Sequence, residues 1–208
     1  MVTVGITGGI GSGKSTVCEI WAEKGAYIVN ADDLAKELMV SDPEIKEDLL
    51  ETFGEEAYIA DGSLNRQYLA NEAFEKGRVE ELNAIVHPKI PAAARQKMAE
   101  AQKKGYAIFV YEAALLLENL EPGALDYIVL VLANKEQRLQ RVQIRDQSSA
   151  EDIRQRMNKQ RNFEDSTDVA DIIIRNNGTL KELKKKAEIV YEKFLPLGGK
   201  NGKKSQDE

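Results

Sequence analysis

Residues 8–15 read Gly-Gly-Ile-Gly-Ser-Gly-Lys-Ser, a match to the pattern G-x-x-x-x-G-K-[ST]. The spacing suits anion chemistry. Gly8, Gly9, Gly11 and Gly13 let the backbone curl until several N–H groups point at one spot, and a helix starting near Ser15 adds the positive end of its dipole. With Ser12 and Thr16 the cradle runs from Gly8 to Thr16. Lys14 is placed to reach the β- and γ-phosphates of a nucleotide, and the Ser15 hydroxyl to ligate Mg²⁺. The alternative is a plain glycine-rich turn. It is set aside because an apolar run, Val2–Thr7, leads into the motif and a helix-like segment, Ser15–Lys24, leads out of it. The chain is therefore expected to bind a nucleoside triphosphate.

Phosphoryl transfer also calls for a carboxylate near the attacking hydroxyl and cations around the phosphates. Asn30-Ala31-Asp32-Asp33 follows a second apolar run. Asp32 there could accept a proton from a hydroxyl or hold Mg²⁺ through water. It could equally be the N-cap of the next helix, and the local pattern leaves the two roles level. Glu112 ends Ile-Phe-Val-Tyr-Glu, where a carboxylate can support a metal or merely solvate a strand end. Residues 135–161 hold eight basic side chains against four acidic ones, in a chain whose net charge is −6. Arg138, Arg141 and Arg145 fall at i, i+3 and i+7, on one helix face. A solvated helix face is one explanation, and a mobile lid that brings arginines to phosphates is the other; arginine's fixed fork favours the lid. His87, the only histidine, precedes Pro88 and reads more simply as structural. Trp21 and Cys18, in the first helix, read as core.

These residues need a frame. Apolar runs at Val2–Thr7, Ala26–Asn30, Ala107–Glu112, Tyr127–Ala133 and Asp171–Arg175 alternate with helical patterns, which predicts an α/β fold with a five-stranded parallel sheet covered on both faces. Ligands of such sheets sit beyond the carboxyl ends of the strands, which selects Asn30 with Asp32, Glu112, Ala133 with Asn134, and Asn176. Residues 33–105 exceed what one crossover requires and read as helical: Pro43 opens 44–53, helices cover 65–74 and 78–104, and Pro88 and Pro91 interrupt the last. Ser149 with Asp152 and Thr179 with Glu182 start further helices by capping boxes, the second running to about Phe194. Residues 1–196 form one domain, with 33–105 as a helical insertion and 145–162 as a lid. The glycine- and charge-rich stretch 197–208 reads as a disordered tail.

Composition narrows the class. An acidic chain is a poor candidate for nonspecific nucleic-acid binding, which relies on Lys and Arg against phosphates. One cysteine and one histidine make neither an internal disulfide nor a Cys/His metal cluster. No apolar stretch approaches the ~20 residues needed to span a bilayer, and no leader pattern opens the chain. The expectation is a cytoplasmic protein with no membrane, nucleic-acid or obligate protein partner.

Taken in order, the motifs resemble the dephospho-CoA kinase family from residue 3 to about residue 190. The series comprises Thr3–Val17, Asn30-Ala-Asp32-x-x-Ala-Lys36, Phe53-Gly54, Asp61-Gly-x-Leu-Asn-Arg66 with Leu69, and Leu82-x-x-Ile85-x-His87-Pro88. It continues with Glu112-x-Ala-Leu115-Leu-Leu-Glu118, Gln137-Arg-Leu-x-Arg141, Gln160, and Ala170-Asp-x-Ile-Ile-x-Asn176-x-Gly178. The resemblance implies a three-layer P-loop kinase fold with a helical substrate-binding insertion and a lid. It implies phosphorylation of the ribose 3′-hydroxyl of dephospho-CoA with ATP and Mg²⁺, the last step of coenzyme A synthesis. On it, Asp32 is the hydroxyl-orienting or basic residue, Arg141 with Arg138 or Arg145 closes over the phosphates, Asn176 borders the adenine pocket, and His87, Glu112 and Leu115 lie on the acceptor side. Asn30, Glu112, Ala114 and Lys36 depart from the family's usual Asp, Asp, Pro and Arg. A nucleoside monophosphate kinase would need arginines for its acceptor phosphate, and Arg66, Arg78 and Arg95 are available. A non-catalytic nucleotide switch would lack a base, and Asp32 argues against it.

Overall fold

The computed structural model describes residues 1–119 and 123–198. Five strands form one parallel sheet: β1 (Val2–Thr7), β2 (Tyr27–Asn30), β3 (Ile108–Glu112), β4 (Tyr127–Leu132) and β5 (Ile172–Arg175), in the spatial order β2-β3-β1-β4-β5. Each coincides, within a residue at either end, with a run expected from apolarity. β1 is central, pairing Ile6 with Glu112 of β3 on one side and Thr7 with Leu130 of β4 on the other. The carboxyl ends of β1 and β3 therefore finish side by side.

The chain divides into two compact units, residues 1–29 with 100–208, and residues 30–99. In the first, α1 (Lys14–Glu23) and α10 (Leu180–Gly198) pack on the sheet. Val17, Cys18, Trp21, Ala187, Tyr191 and Phe194 meet Val4, Ile6, Val110 and Val129 in one core. Trp21 is fully buried and its indole N–H donates to Ala187 O at 2.8 Å, so its polar atom is satisfied. This anchors the helix that carries the glycine loop.

The second unit is helical, as expected of the insertion. Its main helices are α2 (Ala31–Ser41), α3 (Pro43–Phe53), α4 (Arg66–Ala70), α5 (Val79–Val86) and α6 (Ile90–Lys103), the last crossing the boundary between the units. It has its own core of Ile45, Leu49, Phe53, Ala57, Leu69 and Val86. Pro43 opens α3, and Asp42 caps it by accepting from the Glu44 and Ile45 amides. The break expected at Pro88 is present as a 3₁₀ turn, His87–Lys89. Pro91 does not break the chain: it sits in the first turn of α6, where its missing N–H costs no helical bond.

Three further helices complete the first unit: α7 (Leu116–Asn119), α8 (Lys135–Asp146) and α9 (Ala150–Asn158). Ser149 caps α9 through Asp152 N. Thr179 and Glu182 exchange the two bonds of a capping box at the start of α10. That helix runs to Gly198, four residues past the expected end, and the rest of the expected tail, 199–208, lies outside the described residues. Among the described residues no helix is long and apolar enough to cross a membrane.

Candidate active site

β1 ends at Thr7, and the glycine loop follows directly. Gly8, Gly11 and Gly13 have φ of 147°, 75° and 101°, a region that a side chain makes costly. The need is steric as well. A Cβ on Gly8 would run into Val131 O, one on Gly9 into the Arg138 guanidinium, and one on Gly13 would lie 2.5 Å from Asn176 Nδ2. The loop turns on Ser12 N to Gly9 O, and Gly13 leads into α1, whose first bond is Val17 N to Gly13 O. Lys14 opens the helix, and its ammonium donates to Gly8 O at 2.9 Å, spanning the mouth of the loop.

One residue further, Ser15 Oγ donates to Glu112 Oε1 at 3.0 Å. The parallel pairing of β1 with β3 places the Glu112 carboxylate there, with the residue 6% exposed. A hydroxyl beside a carboxylate is a pair of hard oxygen donors, the chemistry Mg²⁺ takes when nucleotide phosphates and water fill its remaining positions. Cys18, one turn below, is buried. Burial pushes its thiol well above the ordinary range and the Glu112 charge pushes it the same way, so it stays protonated and inert, as the core reading expected.

The arginines of α8 separate by partner. Arg138 Nε donates to Ile10 O at 2.8 Å, and burial lowers its pKa from the ordinary value. Arg141 Nη2 donates to Asn176 O at 3.0 Å, while its Nη1 is buried without a hydrogen-bond partner among the described residues. Arg145 is exposed and pairs with Asp146, which also binds Arg156. The helix spacing placed all three on one face. The fold turns two of them to the glycine loop and the end of β5, and the third to a surface ion pair. Asn176, 5% exposed, donates from Nδ2 to Ser12 O at 2.8 Å. The loop is thus gripped from outside at Ile10 and Ser12. Ser12 Oγ is buried and, like Arg141 Nη1, unpartnered among the described residues. Buried donors without partners are unusual in a finished interior, and the Arg141 guanidinium is a cation suited to phosphate. Thr16 lies in the first turn of α1, and Leu115 is 42% exposed just before α7.

In the helical unit, Asp32 is exposed in the first turn of α2. It does not cap that helix. Asn30 does, its Oδ1 accepting from Asp32 N at 2.9 Å and Asp33 N at 3.0 Å. The helix begins at Ala31, two residues earlier than a cap at Asp32 requires, so the capping alternative for Asp32 falls. His87 is exposed at the 3₁₀ turn. Arg78 is committed to structure: it binds Glu72, Glu81 and Thr52 O and lies 4.4 Å from the Phe53 ring centroid. That removes one of the three arginines a monophosphate acceptor could have used. Gln160, one of the motif residues to which the sequence attaches no role, accepts the Ile10 amide across 150 residues of chain. Nothing near Gln160 in the sequence signals such a partner.

Known proteins match this chain over nearly its whole length. The family model described as dephospho-CoA kinase matches residues 2–182. The dephospho-CoA kinase of Salinibacter ruber is 42% identical over 192 residues, spanning 92% of this chain and 96% of its own. Among solved structures, the Thermus thermophilus protein TT1252 superposes with a TM-score of 0.73 at 31% identity, covering 92% of this chain and 97% of its own. The Campylobacter jejuni dephospho-CoA kinase gives 0.66 at 25% identity, with 92% and 96% covered. Glycine loop, Ser15–Glu112 pair and arginine helix thus stand within a match over nearly the whole length, and the chain belongs to the dephospho-CoA kinase family.

Proposed function

We propose that the chain transfers the γ-phosphoryl group of ATP to the ribose 3′-hydroxyl of dephospho-CoA, giving coenzyme A and ADP. The observation that carries this reading is the Ser15–Glu112 hydrogen bond at the foot of the glycine loop, in a chain whose family match spans residues 2–182. The loop Gly8–Thr16 cradles the triphosphate. Lys14, Arg138 and Arg141 bring cations to it, with Arg145 joining when the 145–162 segment closes and excludes water. Asn176 shapes the loop from the adenine side. Ser15 and Glu112 would hold Mg²⁺, which when bound neutralises charge on the phosphate oxygens. Asp32 takes the proton from the 3′-hydroxyl as its oxygen bonds to the γ-phosphorus and the bond to the β-phosphate oxygen breaks. His87 and Leu115 contact the acceptor. Both substrates are soluble metabolites, which fits a cytoplasmic enzyme.

A coupled assay of purified protein with ATP, Mg²⁺ and a panel of acceptors tests the reading. Turnover is expected on dephospho-CoA. Turnover confined to nucleoside monophosphates, or absent on every acceptor, would overturn it.

A further inference from the structure

Ile10 is held by its N–H, its C=O and its side chain, and each is held from the α8–α9 hairpin. Its N–H donates to Gln160 Oε1 at 2.8 Å, just beyond α9. Its C=O accepts from Arg138 Nε of α8 at 2.8 Å. Its side chain packs with Leu139, Val142, Ile153 and Met157, which hold the two helices together. The neighbouring glycines leave no slack. A Cβ on Gly9 would run into the Arg138 guanidinium, and one on Gly11 would lie 2.6 Å from Arg138 O. Neither peptide plane flanking Ile10 can rotate without breaking a bond to the hairpin.

We infer that Gln160 is a positioning residue for the nucleotide: it fixes the Gly9–Ile10 peptide plane and so sets the direction in which the loop presents its other N–H groups to phosphate. The inference rests on the ATP-binding reading above. Converging donors lose affinity when their orientation is averaged over a wider range. The same bond ties the far end of α9 to the loop, so phosphate binding and the position of the hairpin are coupled, and the coupling is reciprocal.

Gln160→Met keeps side-chain length and apolar contact but removes the acceptor. Gln160→Glu keeps an acceptor. Four quantities are measured: affinity for a non-hydrolysable ATP analogue with Mg²⁺ by calorimetry, KM for each substrate, melting temperature, and hydrogen exchange at the Ile10 amide without nucleotide. For Gln160→Met the analogue should bind about three- to tenfold more weakly, the range of one hydrogen bond. The KM for dephospho-CoA should stay at its wild-type value, the melting temperature should fall by no more than the about 2–4 °C that one hydrogen bond accounts for, and the Ile10 amide should exchange faster. Gln160→Glu should restore slow exchange there. If Gln160→Met does not fold, Gln160→Asn, one methylene too short to reach, is read the same way. Unchanged analogue affinity overturns the inference, as does a loss shared equally by both substrates and accompanied by a melting temperature lowered by more than that. A wild-type protein that does not bind the analogue at all would instead overturn the ATP reading, and this inference with it.

Discussion

Asp32→Asn separates chemistry from helix initiation, because the two functions fall on different residues. Asn30, not Asp32, accepts the Asp32 and Asp33 amides, so the substitution leaves the cap of α2 intact. What the folded state loses is the attraction of one exposed first-turn carboxylate to the helix dipole, about 0.3–1 kcal/mol. For a chain of this size that lowers the melting temperature by about 2–4 °C at most. If Asp32 accepts the proton of the acceptor hydroxyl, kcat should fall by about 10²-fold or more, equivalent to about 2.7 kcal/mol on the barrier. Affinity for an ATP analogue should not change, since the glycine loop is untouched. Asn30→Ala is the reciprocal variant. It removes the one oxygen that accepts both cap bonds, at a cost of about 1 kcal/mol, and its kcat should fall far less than that of Asp32→Asn. Steady-state kinetics at saturating ATP and dephospho-CoA, thermal melts and analogue titration read all three quantities. Asp32→Asn retaining most of its turnover would refute the assignment and turn attention to Glu112. Equal kcat losses in the two variants would show that activity follows the helix start and not the carboxylate.

Lys14→Ala should abolish turnover while the melting temperature stays near wild type, since an ammonium aimed at the transferring group supplies several kcal/mol of transition-state stabilisation; a folded variant with near-normal activity would remove the phosphate role of the loop. Gly13→Ala forces a side chain into φ 101° against Asn176 Nδ2. A melting temperature several degrees lower, from about 1–2 kcal/mol of left-handed strain, should accompany weaker analogue binding as the Asn176–Ser12 bond is displaced. Asp146 is held at about 2 by its hydrogen bonds to Arg145 and Arg156, below an ordinary value of 3.8. The lower pKa is in the folded state, so its stabilisation is complete above the ordinary aspartate range and is lost as pH falls towards 2. Acid melts of Asp146→Asn should therefore show a shallower loss of stability than wild type between pH 4 and 2, and parallel curves would mean that the Arg145–Asp146–Arg156 cluster contributes nothing there.

The glycine loop, the five strands and the helix starts at Pro43, Ser149 and Thr179 were legible because each is decided within a few residues. A glycine tolerates positive φ by itself, an apolar run asks for cover on both faces, and a cap reaches only two or three positions along the chain. Even so, a boundary two residues off reassigned a role: the cap fell to Asn30, and Asp32 was left with its side chain free of that duty. Spacing on α8 put Arg138, Arg141 and Arg145 on one face, but spacing says nothing about what that face meets. The partners are Ile10 O, Asn176 and Asp146, and only the packing of α8 against the glycine loop and the segment that follows β5 sorts them. The contacts that shape the site join Ser15 to Glu112, Ser12 to Asn176 and Ile10 to Gln160, residues separated by 97, 164 and 150 positions. The parallel order β2-β3-β1-β4-β5 brings these distant segments to the same carboxyl edge. Residue types fixed which chemistry was possible, and the crossovers between strands decided which side chains share it.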